Sequence, residues 1–294
     1  FAASGGPLGA DFQVNTYTTG SQGDGFPGSI GVARAPDGRF VVVWEGSLGL
    51  VTPRDVFAQR YDAGGSPLGG EFRVNTYTTN AQYRPDVAMD DAGNFVVVWS
   101  SDEQDGSLSG VFGQRFAASG APQGSEFRVN TYTTGYQSGS QYSGLGVAAA
   151  PNGEFIVVWD DLTRSEVFGR RYDASGNPAG GEFQVTAGAP LNHWGSVVAA
   201  DALGNFVVSW MRTGSYYGSL AEGQRYAADG TPRGPQFPMD LVATIPPHRW
   251  PALVSDDVGN FVVAWHNVNV VNGRTVRGQR FGGQRPAGLR VDVT

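Results

Sequence analysis

The 294-residue sequence has no cysteine, so a disulfide framework and thiolate chemistry are both excluded. Lysine is absent too: the twenty basic residues are all arginine, which we read as the codon bias of a GC-rich genome. Positive charge is outweighed by 27 acidic residues, giving a formal net charge of −7. A chain of this charge with no basic stripe is repelled by phosphate backbones, so we expect no nucleic-acid partner. No run approaches the roughly 18 apolar residues of a membrane span, so we expect no membrane insertion. What the chain has in abundance is glycine (44), proline (17) and aromatic residues (12%). That composition suits many short strands, tight turns and a substantial apolar core.

The pentapeptide FVVVW at Phe95–Trp99 recurs with small changes at Phe40–Trp44, Phe155–Trp159, Phe206–Trp210 and Phe261–Trp265. A glycine lies two residues ahead of each copy: Gly38, Gly93, Gly153, Gly204 and Gly259. A QRY-like segment follows each, at Gln59–Tyr61, Gln114–Phe116, Arg170–Tyr172, Gln224–Tyr226 and Gln279–Phe281. Then comes a Gly/Pro turn and EFRVNTYT at Glu71–Thr78, echoed at Asp11–Thr18 and Glu126–Thr133, with weaker copies starting at Glu182, Gln236 and Gly288. A fixed period near 55 residues is the signature of a repeat architecture.

Each unit holds four strand-length segments: b (DVAMD, Asp86–Asp90), c (FVVVW), d (VFGQRF, Val111–Phe116) and a (EFRVN). Tight turns join b to c and d to a, whereas the c–d and a–b connections are longer and vary between units. Segment c decides the architecture. It does not alternate apolar with polar, so both of its faces must be buried. Antiparallel sheets buried on both faces and repeated five times predict an all-β, five-bladed β-propeller with four strands per blade. We expect one domain over residues 1–294, with units near 19–78, 79–133, 134–188, 189–242 and 243–294 and residues 1–18 as an extra outer strand.

Local expectations follow. The repeated glycine should supply a positive φ. The c-segment Trp should fill the space between blades and find a partner for its indole N–H. The repeated Arg should pair with Glu71, Glu126 or Glu182 within its own blade.

The combined pattern, GNFVVVW followed by GVFGQRYDASG and EF-VNTYT, resembles a repeat of large secreted or surface proteins of bacteria. The resemblance covers essentially the whole chain and implies an extracellular or cell-surface location, with little chemistry attached. Five blades are also similar in architecture to tachylectin-type sugar-binding propellers, an analogy of fold alone. SDDVGNF at Ser255–Phe261 resembles a loose Asp-box, a turn that stabilises sialidases and other propellers; it lacks the usual aromatic ending.

The unit boundaries leave one copy of segment a in surplus. The N-terminal copy can complete the last blade and close the ring, or it can stay free as an open edge that invites strand addition. The first residue is Phe rather than Met. We therefore expect a processed chain, an excerpt from a longer repeat array, or a subunit of an assembly.

Strand alternation puts all a–b and c–d connections on one face, where units disagree, and binding residues ride on such loops. Candidate ligand-binding residues there are Tyr83, Tyr142, His193, Trp194, Tyr216, Tyr217, His248, Arg249 and Trp250, with Arg84 and Tyr136 nearby. Aromatic rings beside polar groups suit sugars. The plain alternative is that Trp194 and Trp250 plug the mouth of the channel. His193 and His248 are conceivable zinc ligands without an evident third. Asp102, Glu103 and Asp105 are weak candidates for Ca²⁺, lacking the spacing of an EF-hand. No H-E-x-x-H, G-x-S-x-G or phosphate loop is present, and Asp160 and Asp161, as strand neighbours, should point apart. We therefore expect no catalytic residues and no cofactor. The leading expectation is a non-enzymatic, lectin-like or adhesive module that recognises a glycan or surface partner. The alternatives are a structural repeat that self-assembles through an open edge, and a glycoside-acting enzyme.

Overall fold

The structure, a computed structural model, describes residues 6–7, 9–23, 30–47, 49, 53–138, 144–186, 192–213, 219–239, 248–269 and 273–282. The named elements are nineteen strands. The first sheet is β1 (Ile30–Arg34), β2 (Phe40–Gly46), β3 (Asp55–Tyr61) and β4 (Phe72–Arg73). The second is β5 (Gln82–Met89), β6 (Phe95–Asp102), β7 (Ser109–Phe116) and β8 (Phe127–Arg128). The third is β9 (Leu145–Ala149), β10 (Phe155–Asp161), β11 (Glu166–Tyr172) and β12 (Phe183–Gln184). The fourth is β13 (His193–Ala200), β14 (Phe206–Thr213), β15 (Ser219–Tyr226) and β16 (Phe237–Pro238). The fifth is β17 (His248–Ser255), β18 (Phe261–Asn269) and β19 (Gly273–Phe281), three strands among the described residues.

The first four sheets run b–c–d–a and the fifth b–c–d among the described residues, antiparallel throughout, and the b strands β1, β5, β9, β13 and β17 pack on one another in succession. They are the inner strands, and the architecture is the expected five-bladed propeller. Segment b starts earlier than the DVAMD stretch suggested, at Gln82 in the second blade. Segment a pairs over only two residues per blade. Beyond that pair, a side chain takes over the ladder: Asn75 and Asn130 accept the N–H of Val56 and Val111 through Oδ1 at 2.8 Å.

The expectation for segment c holds in the middle of the molecule, where β6 and β10 bury residues of both faces. Four apolar layers lie between consecutive blades. In the first of them the small residues Val41, Val43, Val56 and Ala58 of one blade meet Val87, Phe95, Trp99 and Phe116 of the next. The same small-against-aromatic pairing recurs three times. The repeated b–c turn glycines have φ between 76° and 92°, as expected of a position where a Cβ would be strained. The Asp-box-like turn is structural: Asp256 Oδ1 accepts the N–H of Asn260 at 2.8 Å.

Two local expectations are corrected. The repeated Arg does not pair with the glutamate of its own blade. Arg60 donates to the carbonyls of Leu68 in its own d–a turn and Ala118 in the next blade's turn, both at 2.8 Å, and Arg171 repeats this with Ala179 and Ala228. The guanidinium fork spans two orphan carbonyls that a carboxylate could not serve. The glutamates face the other way. Glu126 Oε2 accepts the N–H and hydroxyl of Thr76 from the preceding blade at 2.7 and 2.8 Å, and Glu182 does the same for Thr131. The indole expectation holds only in part. Trp44 and Trp159 donate to Gln22 and Gln137, whereas the N–H of Trp99 and Trp210 is buried with no partner among the described residues.

Candidate active-site groove

The a–b and c–d connections do converge on one face, and the five described non-glycine residues with positive φ all lie there: Asn80, Arg84, Glu103, Ser138 and Ser165. Left-handed backbone at such residues is strained and collects at functional sites. Arg84 owes its conformation to a bulge at the start of β5, where the register slips between Tyr83 and Asp86. The carboxylate of buried Glu45, in the preceding blade, accepts the Arg84 N–H at 2.8 Å and pairs with Arg54 at 2.9 Å.

The position after the c-strand Trp repeats this role with different chemistry. Ser100 donates to the Ser138 carbonyl at 2.6 Å. Asp160 accepts the N–H groups of Gly195 at 2.6 Å and Ser196 at 3.1 Å, and also that of Gly144. Burial pushes the Asp160 carboxyl up to about 6 against these donors. Asp86, on the inner strand β5, is likewise raised to about 6 by burial while it accepts the Val147 N–H at 2.9 Å. Sequence reasoning overlooked Glu45, Asp86 and the anchoring role of Asp160. The available signal was variation at one fixed repeat position (Glu45, Ser100, Asp160, Met211, His266) directly after an otherwise uniform Trp.

Beside this bulge a groove of roughly 600 Å³ opens between three blades, lined by Pro53, Asn80, Ala81, Asp102, Glu103, Leu108 and Tyr136. The Asp102 carboxylate accepts the Tyr83 hydroxyl at 2.8 Å. Burial pushes the Asp102 carboxyl above its ordinary range; Tyr83 and Arg54 oppose this, and the charge of Glu103 adds to it. The Asp102 carboxyl therefore senses the charge of its chain neighbour Glu103. Glu103 is held in its left-handed conformation beside Asn80, whose amide donates to it at 3.0 Å. Tyr136, 45% exposed, also lines the groove.

The sequence candidates fall in several places. Tyr83 is buried and serves to orient Asp102 rather than to carry a ligand. Trp194 occupies the equivalent position in the fourth blade, half-buried, with its indole N–H donating to Thr213 at 2.9 Å. His193 is buried against Glu166 at 3.0 Å. Tyr142, Tyr216 and Tyr217 lie outside the described residues, as do the side chains of His248, Arg249 and Trp250. The three acidic residues proposed for Ca²⁺ do not converge. Asp102 takes Tyr83, Glu103 takes Asn80, and Asp105 takes Asn130 at 3.1 Å. Among the described residues no group of three or more His, Asp or Glu side chains is placed to hold a metal ion. Asp160 and Asp161 do point apart: Asp161 accepts the N–H groups of Thr163 and Arg164 at 2.9 and 2.8 Å.

No family model and no curated protein matches the chain. Solved structures share the fold. A Hadza microbial sialidase superposes with a TM-score of 0.55 at 10% identity, over 85% of this chain and 55% of its own. A PL25 ulvan lyase bound to a GlcA(1-4)Rha3S unit gives 0.53 at 9%, over 84% and 65%. An α-L-arabinanase of Penicillium chrysogenum complexed with arabinobiose gives 0.53 at 12%, over 83% and 78%. All three act on glycans. The chain spans 55% and 65% of the sialidase's and the lyase's lengths. This finding corrects the leading expectation of a non-enzymatic binding module, and with it the expectation that the protein is not an enzyme.

Proposed function

We propose that the protein is a glycan-acting enzyme whose site is the groove between Asp102, Glu103 and Tyr136. The observation that carries the reading is that two acidic side chains, Asp102 and Glu103, line one groove together with Tyr136. Asp102 has a raised pKa and is the one suited to hold a proton, whereas Glu103 lies beside an amide donor. Glycoside cleavage uses such a pair, one acid to protonate the leaving oxygen and one carboxylate to stabilise or attack the sugar carbon. Tyr83 fixes Asp102 through Oδ1, which leaves Oδ2 to carry the proton. The exposed Tyr136 ring offers a flat apolar face for the C–H side of a sugar.

A glycan substrate agrees with the extracellular or surface location implied by the repeat. The likeness to a sialidase, a lyase and an arabinanase supports the reaction class. The test is release of reducing ends or unsaturated sugars from a polysaccharide panel. The wild type should act on at least one member. Asp102→Asn, which keeps an acceptor for Tyr83, should lose about 10² to 10⁴ in kcat, the usual scale of general acid catalysis. Equal rates for wild type and variant would remove Asp102 from the chemistry.

A further inference from the structure

The ring has a seam. Consecutive blades one to five pack face to face, but no comparable interface joins β17–β19 to β1–β4 among the described residues. On the fifth blade the apolar face is bare; on the first only the inner strand is, since Trp44 and Tyr61 are 4% and 1% exposed. On the first blade Ile30 and Val32 are 65% and 67% exposed, although Val87, the counterpart of Val32, is 5% exposed. On the fifth, Val254 and Val276 are 62% and 79% exposed, whereas Val56, Val111 and Val167 at the Val276 position are fully covered. Bare patches of this kind mark interaction surfaces.

The N-terminal segment identifies what belongs there. In blades two to five the closing aromatic of strand d is capped by the Phe of the preceding blade's outer strand, with ring centroids 5.4 to 5.6 Å apart. Phe12 caps Tyr61 of the first blade at 5.3 Å. Thr16 donates its N–H and hydroxyl to Glu71 at 2.6 and 2.8 Å, as Thr76 does to Glu126. Residues 11–18, which form no strand of their own, thus occupy the place that an outer strand takes in a blade ahead of the first one. Were that blade the fifth, Phe12 would pair with Gly278, as Phe127 pairs with Gly113 and Phe183 with Gly169. No such pairing exists among the described residues, and Val276 is bare. Among the described residues no b, c and d strands stand beside residues 11–18.

We propose that the seam is a docking site for one further three-stranded unit of this repeat, which residues 11–18 complete as its fourth strand. Continuity with the four existing interfaces argues for it. The fifth blade offers its small-residue face and the first blade the bare inner-strand residues Ile30 and Val32, so the occupant needs both of its faces free. A second copy of this chain does not qualify. Its fifth blade arrives with a fourth blade already packed on it, in the space that this chain's fifth blade fills.

The test joins a copy of residues 82–115 directly ahead of Phe1, and uses the absence of native cysteine to place reporter thiols at Val32→Cys and Val276→Cys. In the protein alone both thiols should react freely with a maleimide. In the fused form labelling should slow by about tenfold or more, since modification then requires the new interface to open. Should the fused unit fail to fold, Val32→Asp in the unfused protein decides: unchanged stability is expected of an exposed face, and marked loss would overturn the proposal. It is also overturned if the thiols are protected in the unfused monomer, which means that the fifth blade closes on the first. Protection that appears only on dimerisation would make a second copy the occupant and would overturn it equally.

Discussion

Asp160→Asn separates the charge of a buried anchor from its shape. Asp160 is fully buried after Trp159, and its two oxygens accept N–H groups from the start of the next blade's inner strand. Burial raises its carboxyl from the ordinary 3.8 to about 6. Between those values the folded protein keeps a proton that the unfolded chain has released. The contribution is therefore complete below about pH 3.8 and lost as pH rises through about 6. That difference corresponds to about 3 kcal/mol. Asparagine does not titrate, and its one fewer acceptor adds a pH-independent cost of about 1–3 kcal/mol. The advantage of wild type over Asp160→Asn should thus shrink by about 3 kcal/mol between about pH 3 and pH 7. Urea unfolding of both proteins at several pH values measures this, and other titrating groups cancel in the difference. Parallel stability curves across that window would refute the reasoning.

Three further outcomes are expected. Trp159→Phe should cost about 0.5–1.5 kcal/mol more than Trp99→Phe, because only the Trp159 indole has a hydrogen-bond partner, Gln137; paired denaturant curves check this. Arg171→Ala should cost about 1–3 kcal/mol by stranding the carbonyls of Ala179 and Ala228. Arg171→Lys should recover only part of that, since an ammonium lacks the fork; thermal unfolding reads both. Tyr136→Ala should raise KM for a cleaved glycan by about tenfold with little change in kcat, as expected of lost ring contact. Steady-state kinetics distinguishes this from the kcat loss in Asp102→Asn.

The architecture was legible because burial on both faces leaves its mark on every copy of FVVVW: only a sheet packed on either side tolerates an uninterrupted apolar strand of that kind. Turn glycines were legible for the same reason, since each position demands a positive φ. The arginines were misread because hairpin proximity to glutamate is visible in sequence, whereas the carbonyls of the next blade's turn, 57 or 58 residues away, are not. The groove was half legible. Variation among the loops pointed to the face on which the groove opens, and Tyr83, Asp102 and Glu103 were singled out, but for ligand stacking and Ca²⁺. Only the register slip at Arg84 and the burial of Tyr83 show that one orients the other. The seam was anticipated as a surplus strand, but which side that strand occupies depends on the ring contact between Phe12 and Tyr61.

The most direct test of the proposed function is a crystal structure of Asp102→Asn with an oligosaccharide of a glycan that the wild type cleaves. A sugar ring lying on Tyr136, with the glycosidic oxygen beside residue 102 and the next ring reaching toward Glu103, is the predicted result. A fragment held at Trp194, on the opposite face of the blades or against the seam would contradict it.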